Sequence, residues 1–101
     1  MKTGKIINQG SESIVPTVIT GTYSATTNDG VITCNSASAF ALNLPAATGS
    51  GFLLTVANIN TGLVTITPNG TDKIDGQATQ IIAQWESVQL HDYASGQWEV
   101  L

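Results

Sequence analysis

The sequence predicts an all-β fold, a small antiparallel β-sandwich of jelly-roll type, and two features indicate it. Of the 101 residues, 14 are Thr, 10 are Ile and 7 are Val, and β-branched side chains pack better on a pleated sheet than in a helix. The chain also has 10 Gly and repeated Asn-Gly, Asp-Gly and Thr-Gly pairs, which are typical of tight turns.

The composition excludes several classes of partner. Only three residues are basic, Lys2, Lys5 and Lys73, too few to form a positive surface for nucleic acid or an anionic membrane. No apolar run approaches the ~20 residues that span a bilayer, and the N-terminus does not resemble a signal peptide. Cys34 is the single cysteine, so we expect a buried thiol, no disulfide and folding in a reducing compartment.

The N-terminal residues 1–21 form a lead-in, and the compact domain covers residues 22–101. The lead-in holds two short apolar pairs, Ile6-Ile7 and Ile14-Val15, followed by Pro16. Two interpretations are open for it, one short strand or an extended arm that docks on another surface.

The first half of the domain alternates strands with turn signals. Asn28-Asp29-Gly30 indicates a turn between strands at residues 23–27 and 31–34. Phe40, Leu42 and Leu44 alternate with small or polar residues, as in a half-buried strand that ends at Pro45. Residues 52–59 are apolar on both alternating faces, so we expect a central strand covered on both sides.

The second half continues in the same manner. Asn60-Thr61-Gly62 predicts a hairpin into a strand at residues 63–67, and residues 68–71 turn again. Residues 73–76 form a short strand or corner that Ile74 anchors. The last strands lie at residues 77–83, 85–90 and 97–101, with residues 92–96 as the final hairpin turn.

The two tryptophans have opposite predicted positions. Trp85 has the opposite parity to Val88 and Leu90, so it faces outward unless a bulge returns it to the core. Trp98 shares the parity of Val100, and we expect it in the core. An outward Trp on a small β domain favours an interface or a ligand platform.

The residues offer little for catalysis or metal binding. His91 is the only histidine, and its neighbour Asp92 points to the opposite face of a strand, so it is poorly placed to orient the imidazole. Asp72 and Asp75 could contribute to a calcium site, but calcium requires six to eight oxygen ligands, and turn residues are the favoured interpretation. We therefore expect no enzyme activity, no metal and no cofactor.

Carbohydrate binding is the better supported site hypothesis. Sugar rings stack on exposed aromatic side chains, and amides and carboxylates bind their hydroxyls. The candidates for stacking are Trp85, Tyr93 and Tyr23, and the candidate polar partners are Gln84, Glu86, Gln89 and Asp92. Each aromatic could instead lie in the core or at a subunit interface.

A series of short motifs over residues 22–101 resembles a known family. Their order is Leu44-Pro45, Asn58-x-x-x-Gly62, Val64-Thr65-Ile66-x-Pro68, Ile74-Asp75-Gly76 and Gly96-x-Trp98. The series is similar to the small β-sandwich domain at the C-terminal end of many tailed-phage tail fibres and tailspikes. No single motif is specific, and residues 1–21 lie outside the resemblance.

The resemblance implies a structural virion module in the phage tail, assembled in the bacterial host cytoplasm. It implies a homotrimer that stabilises the fibre, contacts the rest of it, and contributes to attachment to a host-surface glycan. It brings no catalytic residues, because cleavage in such spikes belongs to β-helical repeats that we do not find here. The alternative function is a carbohydrate-binding module. Three origins are open: an excised fragment, a separate gene product or an internal-start product.

Overall fold

A computed structural model describes residues 14–101, and these form two β-sheets without a helix. The ten strands are β1 (Thr17–Ile19), β2 (Tyr23–Ser24), β3 (Val31–Cys34), β4 (Phe40–Asn43), β5 (Leu53–Asn58), β6 (Val64–Thr67), β7 (Lys73–Ile74), β8 (Gln80–Ile82), β9 (Ser87–Ala94) and β10 (Gln97–Val100). The six-stranded sheet has the order β1-β3-β5-β9-β10-β7, and the four-stranded sheet has the order β2-β4-β6-β8. The all-β prediction is confirmed.

The first six strands wind as three stacked coils, each with one strand in each sheet. We call these strands, residues 17–67, the coil region. Its odd-numbered strands pair in parallel within the larger sheet, and its even-numbered strands pair in parallel within the smaller one. Ile32 pairs with Val56 and Leu42 with Ile66, an offset of 24 residues in both sheets. The second and third coils therefore form a structural repeat.

The last four strands, residues 73–100, form what we call the cap region. β8 pairs antiparallel with β6, and β9 pairs antiparallel with β5. β9 and β10 form an antiparallel hairpin, and β7 runs parallel to β10 at the sheet edge. The antiparallel strands occupy the flank where a fourth coil would stack, so they end the parallel winding.

One hydrophobic core fills the space between the two sheets. Alternate residues of each strand point inward, as the two-residue period of a strand requires. Fully buried side chains come from the coil region, for example Ile32, Leu42 and Val56, and from the cap region, including Leu90 and Trp98. Trp98 has no exposed surface, which confirms its predicted core position, and its ring meets Phe52 edge-on at 6.3 Å.

The prediction of an antiparallel sandwich is wrong, because both sheets are mixed and five of the eight strand pairings are parallel. The hairpin predicted at residues 60–62 and the return strand predicted after the turn at residues 28–30 fail for one reason. Asn28-Asp29-Gly30 and Asn60-Thr61-Gly62 do reverse the chain, but each reversal carries it from one sheet to the other. We also expected no repeats of β-helical type. The structure differs, because the second and third coils form a repeat of parallel strands.

Two further expectations need correction. Thr17–Ile19 pairs with β3 and Ile19 is buried, so the compact unit begins before Thr22. The predicted pair Ile6-Ile7 lies outside the described residues. β5 is central in its sheet, as predicted, but only one face is fully covered, since Leu53 on the other face is 45% exposed. The final hairpin is confirmed, but its turn is shorter than the predicted residues 92–96, because β9 continues to Ala94. Ile74 is a buried anchor, as predicted.

Candidate functional site

The three predicted stacking residues do not share one surface. Trp85 precedes β9, and Tyr93 lies near the far end of this eight-residue strand. An extended strand from Ser87 to Tyr93 measures about 20 Å, which is longer than one sugar ring. Tyr23 lies in β2, at the edge of the other sheet. Trp85, Tyr93 and Tyr23 therefore do not form a single stacking platform.

Asp92 is a buried structural residue and not an exposed sugar ligand. It is 2% exposed, and its carboxylate accepts hydrogen bonds from the backbone amides of Thr48 (3.0 Å) and Gly49 (2.6 Å) and from the Ser50 hydroxyl (3.0 Å). Burial opposes its ionisation, but these hydrogen bonds outweigh that effect and hold the pKa of Asp92 below its usual value. The carboxylate therefore fixes the loop between β4 and β5 onto β9.

Tyr23 takes part in a second structural cluster, around Asp29. Its hydroxyl donates to Asp29 Oδ2 at 3.0 Å, and the Thr17 hydroxyl and the Thr26 amide donate to the same carboxylate at 2.8 and 2.9 Å. Burial opposes ionisation of Asp29, but the hydrogen bonds keep its pKa lowered. The bond to Asp29 raises the pKa of Tyr23. The Tyr23 hydroxyl thus binds the loop between β2 and β3.

Trp85 faces outward as predicted, with 75% of its surface exposed. It lies in the turn 83–86 between β8 and β9, before the strand in which it was expected. The turn closes with a hydrogen bond from the Glu86 amide to the Ala83 carbonyl at 3.1 Å. Trp85 has a φ of 69°, so the left-handed conformation, and not a bulge, sets its direction.

The other predicted polar partners lie near Trp85 or on the adjoining strand. Glu86 is exposed, and its Oε1 accepts the Ala83 amide at 2.7 Å. Gln84 is half-buried, with its Nε2 at 3.5 Å from the Ile59 carbonyl. Gln89 is exposed on the outer face of β9. Trp85, Gln84 and Glu86 are the candidates that the structure brings together.

The motifs behind the family resemblance have structural roles. The buried side-chain amide of Asn58 donates through Nδ2 to the carbonyls of Gly62 (2.9 Å) and Ile82 (3.2 Å). These bonds join the third coil to the cap region. Gly62 packs so closely on the second coil that a Cβ would lie 2.2 Å from the Ser38 carbonyl oxygen. Asp75 and Gly76 both have positive φ, as a type I′ turn requires. These positions contribute to the fold through turns and close packing.

Exposed charge is unevenly distributed, a property that motif analysis missed. Residues 13–71 contain a single charged side chain, Asp29, and it is buried. The exposed or half-buried charges of the described chain are Asp72, Lys73, Asp75, Glu86 and Glu99. The surface of the coil region consequently has no charged group. A count of charges along the printed sequence could have revealed this asymmetry.

The remaining reactive groups have ordinary structural surroundings. Cys34 is fully buried as predicted, and burial raises the pKa of its thiol to about 11, so the nucleophilic thiolate is disfavoured. His91 lies within β9 and not in a turn, and its Nδ1 is 2.8 Å from Glu99 Oε2 on β10. Residues 14–101 contain no group of three His, Cys, Asp or Glu that could hold a metal ion. No helix in that range is long and apolar enough to cross a membrane.

Comparisons with protein families, with curated proteins and with solved structures found no match to this chain.

Proposed function

We propose that this chain is a structural module that associates with copies of itself at the end of a phage tail fibre or tailspike and helps to attach it to a host-surface glycan. The module assembles as a homotrimer in the bacterial host cytoplasm and remains in the virion tail. The number of subunits and the virion location rest on the motif resemblance. The self-association rests on the surface chemistry of the coil region.

The observation that carries self-association is the part of the six-stranded sheet's outer face along β1, β3 and β5, which has no charged side chain. The Lys, His and Glu side chains of this face, Lys73, His91 and Glu99, lie along β7, β9 and β10. Along β1, β3 and β5 this face presents Val18, which is 58% exposed, Leu53, which is 45% exposed, and the half-buried Val31, Thr33, Thr55 and Ala57. Contiguous apolar surface with little charge is typical of protein interfaces. The outer face of the four-stranded sheet is more polar, since it presents Ser24, Asn43, Thr65 and Thr67 together with Ala41 and Ile81.

Sedimentation or light scattering at about 10 µM tests the self-association. We expect three times the chain mass of 10.5 kDa. The association should persist in 1 M salt, because an uncharged interface is not screened. A monomer under these conditions would contradict the proposal.

A matched pair of substitutions locates the interface. Ala57→Lys places a charge in the middle of the larger sheet's outer face, and Thr65→Lys does the same on the smaller sheet. Both positions are half-buried on interior strands. We expect Ala57→Lys to dissociate the assembly and Thr65→Lys to leave it intact. Dissociation by Thr65→Lys alone would move the interface to the other sheet.

Glycan capture as the main role is the second candidate, and the exposure of Trp85 favours it. A monomeric chain that binds an oligosaccharide through Trp85 would support this alternative over the trimeric module.

A further inference from the structure

The backbone at Trp85 is unfavourable for a tryptophan. Trp85 is the third residue of the turn 83–86 and has a φ of 69°, whereas Gln84 is not among the residues with positive φ. This pattern defines a type II turn, in which the third position is usually Gly. The left-handed conformation is unfavourable for a bulky residue because its Cβ comes too close to the following carbonyl oxygen. Since Trp85 is 75% exposed, little burial of the indole offsets this cost.

The turn that carries Trp85 is held firmly against the end of β5. The Trp85 amide donates to the Asn58 carbonyl at 2.7 Å, and the Asn58 amide donates to the Glu86 carbonyl at 3.0 Å. The Glu86 carboxylate closes the turn from the side by accepting the Ala83 amide. These hydrogen bonds hold the backbone that carries the exposed indole in one conformation, so less backbone entropy is lost when a ligand binds.

The residues next to Trp85 in the turn and at the adjoining end of β5 carry amides and one carboxylate, and no Lys or Arg of residues 14–101 lies near this turn. Asn60 follows the end of β5, where its Nδ2 donates to Asn35 Oδ1 at 3.0 Å, and Gln84 precedes Trp85 in the turn. Glu86 is exposed beside the indole. Lys73 is the only Lys or Arg in the range 14–101, and it pairs with Gln97 at the end of β10 remote from this turn. The histidine of this range, His91, is paired with Glu99.

We propose that the Trp85 turn binds an uncharged sugar residue, a hexose or an N-acetylhexosamine, and discriminates against acidic sugars. The apolar face of the ring stacks on the indole, and the amides of Gln84 and Asn60 bind its hydroxyl or acetamido groups. Glu86 repels a carboxylate on the sugar, and no described cation lies near enough to offset that repulsion. This inference rests on the proposed attachment function and restricts it to neutral glycans at one turn.

Two-dimensional NMR of the indole N–H groups tests the proposal on the full chain, because Trp85 and Trp98 give one signal each. The probes are lactose and its acidic counterpart sialyllactose, together with oligomers of glucose, galactose, N-acetylglucosamine and N-acetylgalactosamine. We expect at least one neutral sugar to shift the Trp85 signal and leave the buried Trp98 signal in place, and sialyllactose to bind at least tenfold more weakly than a neutral sugar that binds. Trp85→Phe assigns the signals and retains part of the affinity.

Two variants separate a binding role from a structural one. Trp85→Gly fits the turn and removes the indole, so it should abolish sugar binding in a protein that remains folded. Glu86→Gln keeps the oxygen that accepts the Ala83 amide and removes the charge. It should therefore reduce the difference in binding affinity between neutral and acidic sugars.

The outcomes are distinguishable from failure of the proposed function. Absence of any Trp85 shift across the neutral panel at 20 mM would overturn this inference, and a trimer would still support the structural module. Equal binding of lactose and sialyllactose would overturn the charge discrimination. Dissociation of the trimer by Trp85→Gly would assign Trp85 to a subunit contact and overturn the sugar site.

Discussion

The coil region and the cap region share one core but differ in strand direction and in charge. Four parallel pairings build the coil region, whereas antiparallel strands join the cap region to it. The outer surface of the coil region has no charged side chain, while the cap region and the turn before it hold every exposed charge of the described residues. We infer that the coil region supplies surface for contacts between copies and that the cap region terminates the fold and faces solvent.

Loss of Trp98 should be the most damaging change to the cap region. Trp98→Ala removes the largest fully buried side chain and leaves a cavity, which costs about 3–5 kcal/mol of unfolding free energy. Because the core is continuous, the coil region should lose structure in the same transition. Urea unfolding followed by circular dichroism and by Trp85 fluorescence tests this expectation.

Trp98→Phe is the matched control for that cavity. The indole Nε1 is buried without a hydrogen-bond partner, so Phe removes an unsatisfied donor as well as volume. We expect a loss of about 1–2 kcal/mol, smaller than for Ala. Separate unfolding of the two regions in either variant would contradict a shared core.

Gly62→Ala should be the most damaging small change in the coil region. The added Cβ would meet backbone atoms of Ser36 and Ser38, which cannot move aside as a flexible side chain does. We expect a loss of about 3 kcal/mol, measured by urea unfolding. Gly21→Ala is the control, since nothing lies within 4 Å of its added Cβ. Equal effects of the two substitutions would contradict close stacking of the coils.

These two regions also differ in how far the sequence predicts them. The cap region follows local rules: Asp75-Gly76 forms a tight turn, Gly96 permits the final hairpin, and alternation places Trp98 inside. In the coil region, residues such as Asn60-Thr61-Gly62 indicate a reversal, but a reversal within one sheet and a crossing between two sheets use the same residue types. The choice depends on non-local packing, such as the contact of Gly62 with the second coil, which no local pattern encodes.

The candidate site residues also differ in how far the sequence predicts their positions. Parity predicts an outward Trp85, and the side chain is exposed, but the turn 83–86 and its positive φ set this direction instead of strand alternation. Asp92 has the parity of the buried Leu90, which places it on the inner face of β9. A hydrophilic side chain at that position suggests exposure, so the sequence gives two opposing signals for Asp92. Its true partners, Thr48 to Ser50, lie over 40 residues away in the chain, and a sequence pattern does not reveal such pairs.

Acid should destabilise both regions through their buried carboxylates. The folded pKa of Asp29 in the coil region and of Asp92 in the cap region lies below its usual value. Their stabilisation is therefore complete above the unfolded-chain pKa of about 3.9 and is lost as the pH falls through the lower folded pKa. Unfolding free energy measured between pH 6 and pH 2 should stay level to about pH 4 and then decline.

Asn substitutions apportion this acid sensitivity between the regions. Asp29→Asn and Asp92→Asn each replace one acceptor oxygen with a donor, so each should cost about 1–3 kcal/mol at pH 6. Each should also reduce the decline below pH 4, and the double variant should reduce it most. An unchanged decline in the double variant would assign the acid response to exposed carboxylates instead.

The smallest expected effect concerns the turn 83–86 of the cap region, which hydrogen-bonds to the end of β5, and this effect has the opposite sign. Trp85→Gly relieves the left-handed conformation, so the chain should become about 1 kcal/mol more stable, as measured by urea unfolding. Asp75→Gly is the matched control, because within residues 14–101 Asp75 is the other non-Gly residue with positive φ. Asp tolerates this conformation, and Asp75 Oδ1 accepts the Val100 amide at 3.1 Å, so we expect no gain in stability there.

A gain in stability in Trp85→Gly together with lost sugar binding would show that the turn retains Trp85 for recognition at a cost in stability. A loss of stability in Trp85→Gly would mean that the indole contributes to packing instead.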